Sequence, residues 1–282
     1  MFKILRKEVL ANKINLFDIK APYIAKKAKP GQFVIVRTDD YGERIPLTIA
    51  DFDREAGFIT IILQEIGRST YDMGKLEVGD FFLDVVGPLG KPSVIQKYGR
   101  AICIGGGVGV APIYPITRAL QAAGNHVISI LGANSSATFF GEKMLKAVSD
   151  ELYITTNDGT YGEKGLVTDV LKRIISNDDI DIVFAIGPLG MMEAVSKVTS
   201  LKRIKTVVSL NPIMLDGTGM CGACRVEVGN EKKFACVDGP EFDGHLVDWE
   251  NAKQRARMFE KQEKVALTQS CNCHSKGEGC NV

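Results

Sequence analysis

The spacing of apolar residues along the chain changes near residue 100, and this change constrains the fold more than any other feature of the sequence. Before that point, short apolar runs such as INLFDI, QFVIVRT and GFITIIL are separated by turn residues. Runs of this length, repeated about every 10 residues, are typical of antiparallel all-β domains. This spacing predicts an antiparallel barrel or sandwich over residues 1–99, with one short helix at residues 69–75.

From residue 100 to residue 210 the pattern becomes strand, glycine-rich turn and amphipathic helix. The apolar strands read AICIG, HVISILG, LYITT, DIVFAIG and IKTVVSL, and helical segments such as VTDVLKRIIS lie between them. This alternation indicates a parallel sheet with helices on both faces. We therefore expect a doubly wound α/β domain at residues 100–210.

Residues 211–282 are the third predicted unit, and their amino-acid composition differs from that of the first two. The segment DGTGMCGACRVEVGNEKKFACVDGP is rich in glycine and cysteine and poor in large apolar side chains. A segment of this kind buries too little apolar surface to fold alone. A bound inorganic centre would supply the missing stabilisation, because metal binding and folding are coupled.

Charge and hydropathy exclude several classes of partner. The 282 residues include 35 Lys and Arg against 34 Asp and Glu, a formal charge of +1 without a basic block. Such a balance argues against binding of nucleic acid or anionic lipid. The first 20 residues carry charges every few positions, unlike a signal peptide, and polar residues or prolines interrupt every long apolar run. We expect a cytoplasmic protein with no nucleic-acid or membrane partner.

Six of the seven cysteines lie beyond residue 220, in two groups. In a chain without an export signal, such clustering favours metal ligation or redox chemistry over structural disulfides. The second group lies in the tail and contains Cys271, Cys273 and Cys280, together with His274. The sequence does not decide whether the tail holds a second metal, a thiol pair or no site.

The first group has a spacing that matches a known iron-sulfur pattern. Two residues separate Cys221 from Cys224, eleven separate Cys224 from Cys236, and four separate Asp216 from Cys221. The plant-type [2Fe-2S] pattern is Cys-x4-Cys-x2-Cys followed by a distant cysteine, here with Asp216 in the first position. The spacing predicts these four residues as ligands of a [2Fe-2S] cluster. Zinc accepts the same donors and is the alternative, although zinc sites more often combine two short Cys/His hairpins.

Two glycine turns follow apolar strands of the α/β region. Gly106, Gly107 and Gly109 lie between a strand and a helix, where backbone N–H groups and the positive end of the helix can face a pyrophosphate. The second turn, Gly187 and Pro188, lies at the end of another strand and opens a later helix, with Met191 near its start. Because the glycine spacing is not the standard G-x-G-x-x-G, a tight turn within the sheet is the alternative interpretation.

Asp158 lies between these turns in the polar loop TTNDGTYGEKG. Its carboxylate is placed to accept a ribose hydroxyl if the loop borders the nucleotide, and an ordinary surface turn is the alternative. The segment Ala133–Ser136, which follows the second strand, contains neither an arginine for a 2′-phosphate nor an acid to repel one. The choice between NADH and NADPH is therefore open.

The barrel region contains the motif ERIPLT at residues 43–48 and QEIGRST at residues 64–70. Arg44 offers a planar cation for a phosphate, and Thr48 can bond the edge of a planar ring. Gly67, Ser69 and Thr70 lie at a predicted helix start, which favours an anion. Taken singly, Arg44 is equally consistent with a surface arginine, and Ser69 with a helix cap.

The combination of Arg-x-Pro-Leu-Thr, GGGVGVAP, GPLGMM and Cys-x2-Cys-x11-Cys resembles the ferredoxin-reductase superfamily over residues 2–250. Its order of flavin, pyridine nucleotide and [2Fe-2S] regions is similar to that of electron-transfer subunits related to dihydroorotate dehydrogenase. The resemblance implies a β-barrel that binds FAD through Arg44, Pro46, Leu47, Thr48, Ile62, Leu63, Gln64, Gly67, Ser69 and Thr70. It also implies NAD(H) binding by Gly106, Gly107, Gly109, Gly187, Pro188 and Met191, with Asp158 added from the loop analysis.

The acid at position 216 departs from the dihydroorotate type, which has four cysteine ligands. One Asp with three Cys is similar to the small subunits of NADH-dependent reduced ferredoxin:NADP+ oxidoreductases, also described as sulfide dehydrogenase subunits. This resemblance implies hydride exchange with NAD(H) at the flavin, so no catalytic side chain is needed. It also implies a heterodimer in which single electrons pass to a larger flavin- and [4Fe-4S]-containing, NADP(H)-dependent subunit that bifurcates electrons and reaches ferredoxin.

Two alternatives stay open at this point. One is an electron-transfer subunit of a dihydroorotate or sulfide dehydrogenase. The other, from a different class, is a regulatory or scaffolding module that holds flavin and zinc without turnover.

Overall fold

The structure is a computed structural model that describes residues 1–267, so Cys271, Cys273, His274 and Cys280 lie outside the described residues. Residues 2–89 form a seven-stranded antiparallel sheet in the order β6-β1-β2-β5-β4-β3-β7. Its strands are β1 (Phe2–Ala11), β2 (Ile14–Lys20), β3 (Phe33–Arg37), β4 (Ile45–Asp53), β5 (Phe58–Gln64), β6 (Phe81–Phe82) and β7 (Asp84–Leu89). Because Leu83 alone separates the two edge strands, the sheet curls to near closure, which confirms the predicted antiparallel barrel.

Strand β2 shows why the run INLFDI is apolar on both sides. Phe17 and Ile19 point into the barrel core, while Ile14 and Leu16 pack in the core of the following domain. Since side chains alternate between the two faces of a strand, both faces of β2 are buried. The Phe17 and Phe82 rings meet edge to face, with centroids 5.9 Å apart, in the geometry that aromatic pairs prefer.

Two short helices accompany the barrel. Helix α2 (Arg68–Gly74) lies where the sequence predicts one, within a residue at each end. Helix α1 (Pro22–Lys27) was missed in the sequence analysis. It has six residues, too few to show a helical hydrophobic period, and Pro22 at its first position is the one local signal.

Residues 100–209 form the predicted parallel sheet. The strands are β8 (Arg100–Gly106), β9 (His126–Ala133), β10 (Glu151–Thr156), β11 (Glu163–Lys164), β12 (Ile182–Ile186) and β13 (Lys205–Ser209), and the helices are α3 (Val110–Ala122), α4 (Glu142–Lys146), α5 (Val167–Asn177) and α6 (Leu189–Ser200). The order β11-β10-β9-β8-β12-β13 reverses direction between β8 and β12. In open α/β sheets, ligands bind at the carboxyl ends of the strands beside such a switch point.

Strand β8 is the centre of this domain and is buried on both faces. Ala101 and Cys103 pack with α3 on the face that meets the barrel, while Ile102 and Ile104 pack with α5 and α6 on the other. All four side chains are fully buried. A continuous apolar strand of this kind is expected when helices cover both faces of a parallel sheet.

The segment beyond residue 210 packs against both domains. It contains β14 (Arg225–Val228), β15 (Glu231–Phe234), β16 (Glu241–Asp243) and helix α7 (Trp249–Ala256). Strands β14 and β15 form a hairpin, and β16 adds antiparallel to β13 at the edge of the large sheet. Among residues 1–267 no helix is both long enough and apolar enough to cross a bilayer.

Three parts of the chain meet at Glu241 on β16. The Ser93 hydroxyl, in the link between barrel and α/β domain, donates a hydrogen bond to the Glu241 carboxylate. The backbone N–H of Ser93 bonds the Pro30 carbonyl in the barrel at 2.9 Å, and that of Leu210 bonds the Pro240 carbonyl at 3.0 Å. Burial raises the pKa of Glu241 to about 7, so an ionisable group lies inside a junction that holds the domains together.

This pKa predicts that the protein loses stability as the pH rises from about 5 to 8. The folded state holds a proton on Glu241 up to about pH 7, whereas an unfolded glutamate loses it near pH 4.3, and this difference corresponds to about 4 kcal/mol once both are ionised. The stability contribution is therefore fully present below pH 4.3 and lost through pH 7. Thermal unfolding midpoints from pH 5 to pH 8 should decline less steeply in Glu241→Gln, which stays neutral.

The control is Asp179→Asn, which removes an exposed acid outside the junction. This variant should keep the wild-type pH dependence. Equal slopes for wild type and Glu241→Gln would contradict the assignment.

Candidate cofactor-binding sites

The two glycine turns predicted for nucleotide binding lie side by side at the switch point. Gly106 ends β8, and β8 pairs with β12 so that Ile186 lies opposite Gly105. A Cβ on Gly109 would lie 2.1 Å from the Ile186 carbonyl oxygen, and one on Gly106 would lie 2.3 Å from the Met191 sulfur. Glycine is therefore required here for two reasons: the chain turns, and two backbones approach each other closely.

Gly107 has a different role in this turn. Its φ is +55°, and a Cβ would meet no atom within 4 Å. This left-handed residue lies in open space and begins the turn Gly107–Gly109, which joins the carboxyl end of β8 to the 13-residue helix α3. This is the arrangement that binds a pyrophosphate in α/β nucleotide-binding proteins.

The structure brings Gly187, Pro188 and Met191 to this edge beside the first glycine turn, but it leaves Asp158 apart from both glycine turns. Pro188 caps α6, and Met191 lies in its first turn. Asp158 follows β10, which is separated from β8 by β9. Its carboxylate accepts hydrogen bonds from the N–H and hydroxyl of Thr160, at 2.9 and 2.7 Å, and these bonds hold the pKa of this exposed carboxyl below its usual range. Asp158 therefore structures its own turn at the outer end of the same sheet edge.

On the barrel, the predicted flavin residues lie at one end of β4 and β5. Because these strands are antiparallel, the start of β4 with Pro46, Leu47 and Thr48 lies beside the end of β5 with Ile62, Leu63 and Gln64. Arg44 immediately precedes β4, is exposed, and makes no hydrogen bond or ion pair with the rest of residues 1–267. An unpaired guanidinium at this end is suited to an anionic group.

The helix start at α2 is occupied by local hydrogen bonds. The backbone N–H groups of Ile66 and Gly67 both donate to the Thr70 hydroxyl, each at 3.0 Å. The Ser69 hydroxyl donates to the Glu43 carboxylate. Thr70 and Ser69 thus serve as capping and linking groups in this structure, and their contact with a flavin stays a prediction.

Of the four predicted cluster ligands, the structure brings two cysteines together. The sulfur atoms of Cys224 and Cys236 are 3.2 Å apart, and both side chains are buried. Cys221 is exposed. The Asp216 carboxylate accepts hydrogen bonds from the N–H groups of Thr218 and Cys221, both at 2.8 Å, and these bonds lower its pKa. Within residues 1–267 no three His, Cys, Asp or Glu side chains are arranged together as a metal-binding set.

The donor set nevertheless fits a cationic centre. Burial and the adjacent Cys224 thiol raise the pKa of Cys236 to about 12, so Cys236 becomes a thiolate only when a metal ion offsets the charge. The loop around it has positive φ at Gly217, Gly219 and Gly222. The N–H groups of Gly222 and Ala223 make no hydrogen bond to another of the described residues. Free N–H donors beside thiolates are what an iron-sulfur cluster requires of its loop.

The cysteine pair packs directly on the barrel. Cys224 and Cys236 share a buried apolar cluster with Phe33 and Ile35 of β3. Phe33 lies opposite Thr48 in the β3–β4 ladder. The predicted cluster loop and the predicted flavin strand are therefore attached to neighbouring strands of one sheet.

The nucleotide edge is tied to the same part of the barrel. The Gly107–Gly109 turn lies against β5, and α3 lies against β4. The Arg118 guanidinium on α3 donates two hydrogen bonds to the Asp51 carboxylate on β4, at 2.7 and 3.1 Å. Two parallel bonds fix an angle as well as a distance, so this pair sets the orientation of the two domains.

Sequence reasoning missed two arginines that contact the cysteine loop. Arg225 Nη1 approaches the Gly222 carbonyl at 3.4 Å, and Arg255 Nη2 donates to the Ala223 carbonyl at 2.8 Å. Arg225 directly follows Cys224 in the sequence, which is a local signal. Arg255 lies on α7, and no local pattern connects it with the loop.

Comparison with known proteins identifies two regions of the chain. A model for the oxidoreductase NAD-binding domain matches residues 103–197, and one for the iron-sulfur cluster binding domain of dihydroorotate dehydrogenase B matches residues 211–248. Together with the barrel, they define the class: an oxidoreductase of the ferredoxin-reductase fold with an NAD-binding domain and an iron-sulfur segment. A Thermotoga maritima homologue of the dihydroorotate dehydrogenase B (NAD(+)) electron transfer subunit is 44% identical, over 94% of this chain and 93% of that protein. The chain belongs to the family of these electron transfer subunits and their homologues.

Two further matches cover almost the whole chain. An uncharacterized protein from Clostridium beijerinckii is 46% identical, over 99% of this chain and 98% of that one. A chain in the solved structure of an NADH-dependent reduced ferredoxin-NADP oxidoreductase, described in connection with flavin-based electron bifurcation, is 42% identical. It superimposes with a TM-score of 0.91 and covers 96% of this chain and 98% of that chain.

The glycine turn generates a testable prediction. Gly109→Ala places a methyl group against the Ile186 carbonyl, and the backbone must shift. We expect stability to fall by about 1–3 kcal/mol and NADH affinity to fall on the order of tenfold. Thermal unfolding and titration of NADH into the flavin-loaded protein measure the two effects.

Lys172→Ala is the control, because Lys172 is exposed on α5 and belongs to neither glycine turn. It should bind NADH as the wild type does and be equally or slightly more stable. Unchanged NADH affinity in Gly109→Ala would remove this turn from the nucleotide site.

Proposed function

We propose that this chain is the NAD(H)-oxidising electron-transfer subunit of an electron-bifurcating ferredoxin:NADP+ transhydrogenase. In this proposal FAD binds at the Arg44 end of β4 and β5, and NAD(H) binds at the glycine turns. A [2Fe-2S] cluster is held by Asp216, Cys221, Cys224 and Cys236. The supporting observation is that all three regions attach to the adjacent strands β3, β4 and β5 of one barrel.

The cofactors supply the redox chemistry: a flavin exchanges a hydride with nicotinamide and releases electrons singly, and a two-iron cluster carries one electron at a time. The chain supplies position and shielding. Arg44 offers the cation for the flavin phosphates, and the N–H groups at the start of α3 offer donors for the pyrophosphate of the nucleotide. No side chain acts as nucleophile or general base in this scheme.

The partner follows from the same scheme. Proteins of this family are named as electron transfer subunits, so the chain functions with another subunit. We infer that this subunit is larger, contains flavin and [4Fe-4S] clusters, uses NADP(H) and passes electrons to ferredoxin. The basis is the match to a ferredoxin-NADP oxidoreductase over nearly the full length of both chains, together with the aspartate at position 216.

The alternative is an electron-transfer subunit of a dihydroorotate or sulfide dehydrogenase. The names of several relatives favour it, for example a Shouchella clausii dihydroorotate dehydrogenase B subunit that is 33% identical over 79% of this chain. The partner's cofactors separate the two functions, because a dihydroorotate-oxidising partner needs no NADP(H) site.

The flavin assignment predicts that Arg44→Ala weakens FAD binding. Loss of a charge-assisted hydrogen bond to phosphate costs about 1.5–3 kcal/mol, which is roughly tenfold or more in affinity. FAD content after dialysis, measured by absorbance against protein, should fall accordingly.

Arg54→Ala serves as the control because Arg54 lies at the other end of β4 and bonds the Ala28 carbonyl. Its FAD content should match the wild type. Full flavin retention in Arg44→Ala would contradict the placement of FAD at this end of the barrel.

The ligand assignment predicts that Asp216→Cys changes the EPR spectrum of the dithionite-reduced protein. A thiolate would replace a carboxylate oxygen at one iron and alter its ligand field, while FAD content and NADH oxidation with an artificial acceptor stay unchanged. Asp243→Cys adds a cysteine at an exposed position outside the loop and should leave the spectrum as in the wild type. An unaltered spectrum in Asp216→Cys would exclude Asp216 as a ligand.

A further inference from the structure

We propose that Arg225 and Arg255 form a cationic clamp that fixes the Cys221–Cys224 turn and provides the counter-charge of the cluster held there. The proposal rests on the proposed function in one respect, namely that a [2Fe-2S] cluster occupies this loop. Neither arginine belongs to the predicted ligand set, and each lies on a different element.

The geometry of the turn is the first argument. The carbonyls of the two residues between the cysteines, Gly222 and Ala223, each lie within hydrogen-bonding distance of a guanidinium, Arg225 at 3.4 Å and Arg255 at 2.8 Å. In a trans peptide the C=O and the following N–H point in opposite directions. Holding both carbonyls on the arginine side therefore directs the N–H groups of Ala223 and Cys224 to the other side of the turn.

The unbalanced charge is the second argument. Within the described part of the chain, neither Arg225 nor Arg255 forms an ion pair with a carboxylate. Most of the other arginines in this part of the chain do form one. The Arg255 Nε atom is buried and has no hydrogen-bond partner. Two neighbouring cations, one of them half-buried, are costly without an opposite charge nearby.

The surroundings of Arg255 make this cost larger. It lies in a small pocket between α7 and the cysteine segment, lined largely by apolar side chains that include Leu210, Val226 and Met258. A cluster bound by three thiolates and a carboxylate has a net negative charge, which one-electron reduction increases. Such a group would balance the two arginines, and they in turn would favour its reduced state.

A purely structural role is the competing interpretation. Arg255 would then join α7 to the hairpin, as the backbone bond from Asp248 N–H to the Glu227 carbonyl also does at 2.9 Å. A structural tie would affect stability and cluster content but would not shift the reduction equilibrium of the cluster. Measurement of that equilibrium separates the two roles.

The experiment is an anaerobic redox titration of the full-length, cofactor-loaded protein, followed by EPR. Dithionite supplies one electron to the cluster, and no bond or proton changes. Arg225→Met and Arg255→Met each remove one positive charge beside the turn, and Arg255→Lys restores the charge. Lys253→Met is the matched control, because Lys253 lies on the same helix but is ion-paired with Glu193 at 2.6 Å.

At a fixed potential we expect the ratio of reduced to oxidised cluster to fall on the order of tenfold in each methionine variant. For a one-electron couple, tenfold corresponds to about 59 mV. Arg255→Lys should recover most of the loss, and Lys253→Met should stay within about twofold of the wild type.

Shifts in Arg225→Met and Arg255→Met no larger than in Lys253→Met would overturn the proposal. If Arg255→Met retains no cluster, Arg225→Met decides by the same criterion. Failure of the proposed function would differ from either result, because the wild-type protein itself would then show no two-iron signal.

Discussion

The packing of Cys224 and Cys236 against Phe33 and Ile35 joins the C-terminal segment to the barrel, and the arrangement of the sites depends on this contact. The glycine-rich loop has few apolar side chains of its own, so its packing depends on this contact with the barrel. The contact lies on β3, next to the strand that begins after Arg44. A short distance between the proposed flavin and cluster sites therefore follows from their attachment to neighbouring strands of one sheet.

The proposed nucleotide site is positioned by a different kind of constraint, which is steric. The turn after β8 and the turn after β12 approach so closely that Gly109 has no room for a side chain beside Ile186. This approach is a property of the switch point, where adjacent parallel strands lead to helices on opposite faces. The Arg118–Asp51 pair and the buried junction at Glu241 then fix this domain against the barrel. Rigid attachment matters for a reductase because hydride and electron transfer both depend on distance.

The repeated local patterns explain why much of the architecture could be predicted from the sequence. The run AICIG followed by glycines and a helix predicts a central strand and a ligand-binding turn, because both faces of such a strand must be covered. The Cys-x2-Cys-x11-Cys spacing predicts the segment that the iron-sulfur family model matches. Helix α1 has no comparable period and was missed. Asp158 lies at the predicted sheet edge, but β9 separates it from the glycine turns, since strand order is not a local property.

The sequence by itself determined the elements, the order of the regions and the residue types available to each site. These features depend on interactions within a few residues, such as hydrophobic period, turn chemistry and ligand spacing. Tertiary structure alone decided that Arg255 reaches the carbonyl of Ala223, that Glu241 lies half-buried beside Ser93, and that Cys224 packs on β3. Such contacts join residues far apart in the chain, and they are set by sheet register and domain packing, which no local pattern encodes.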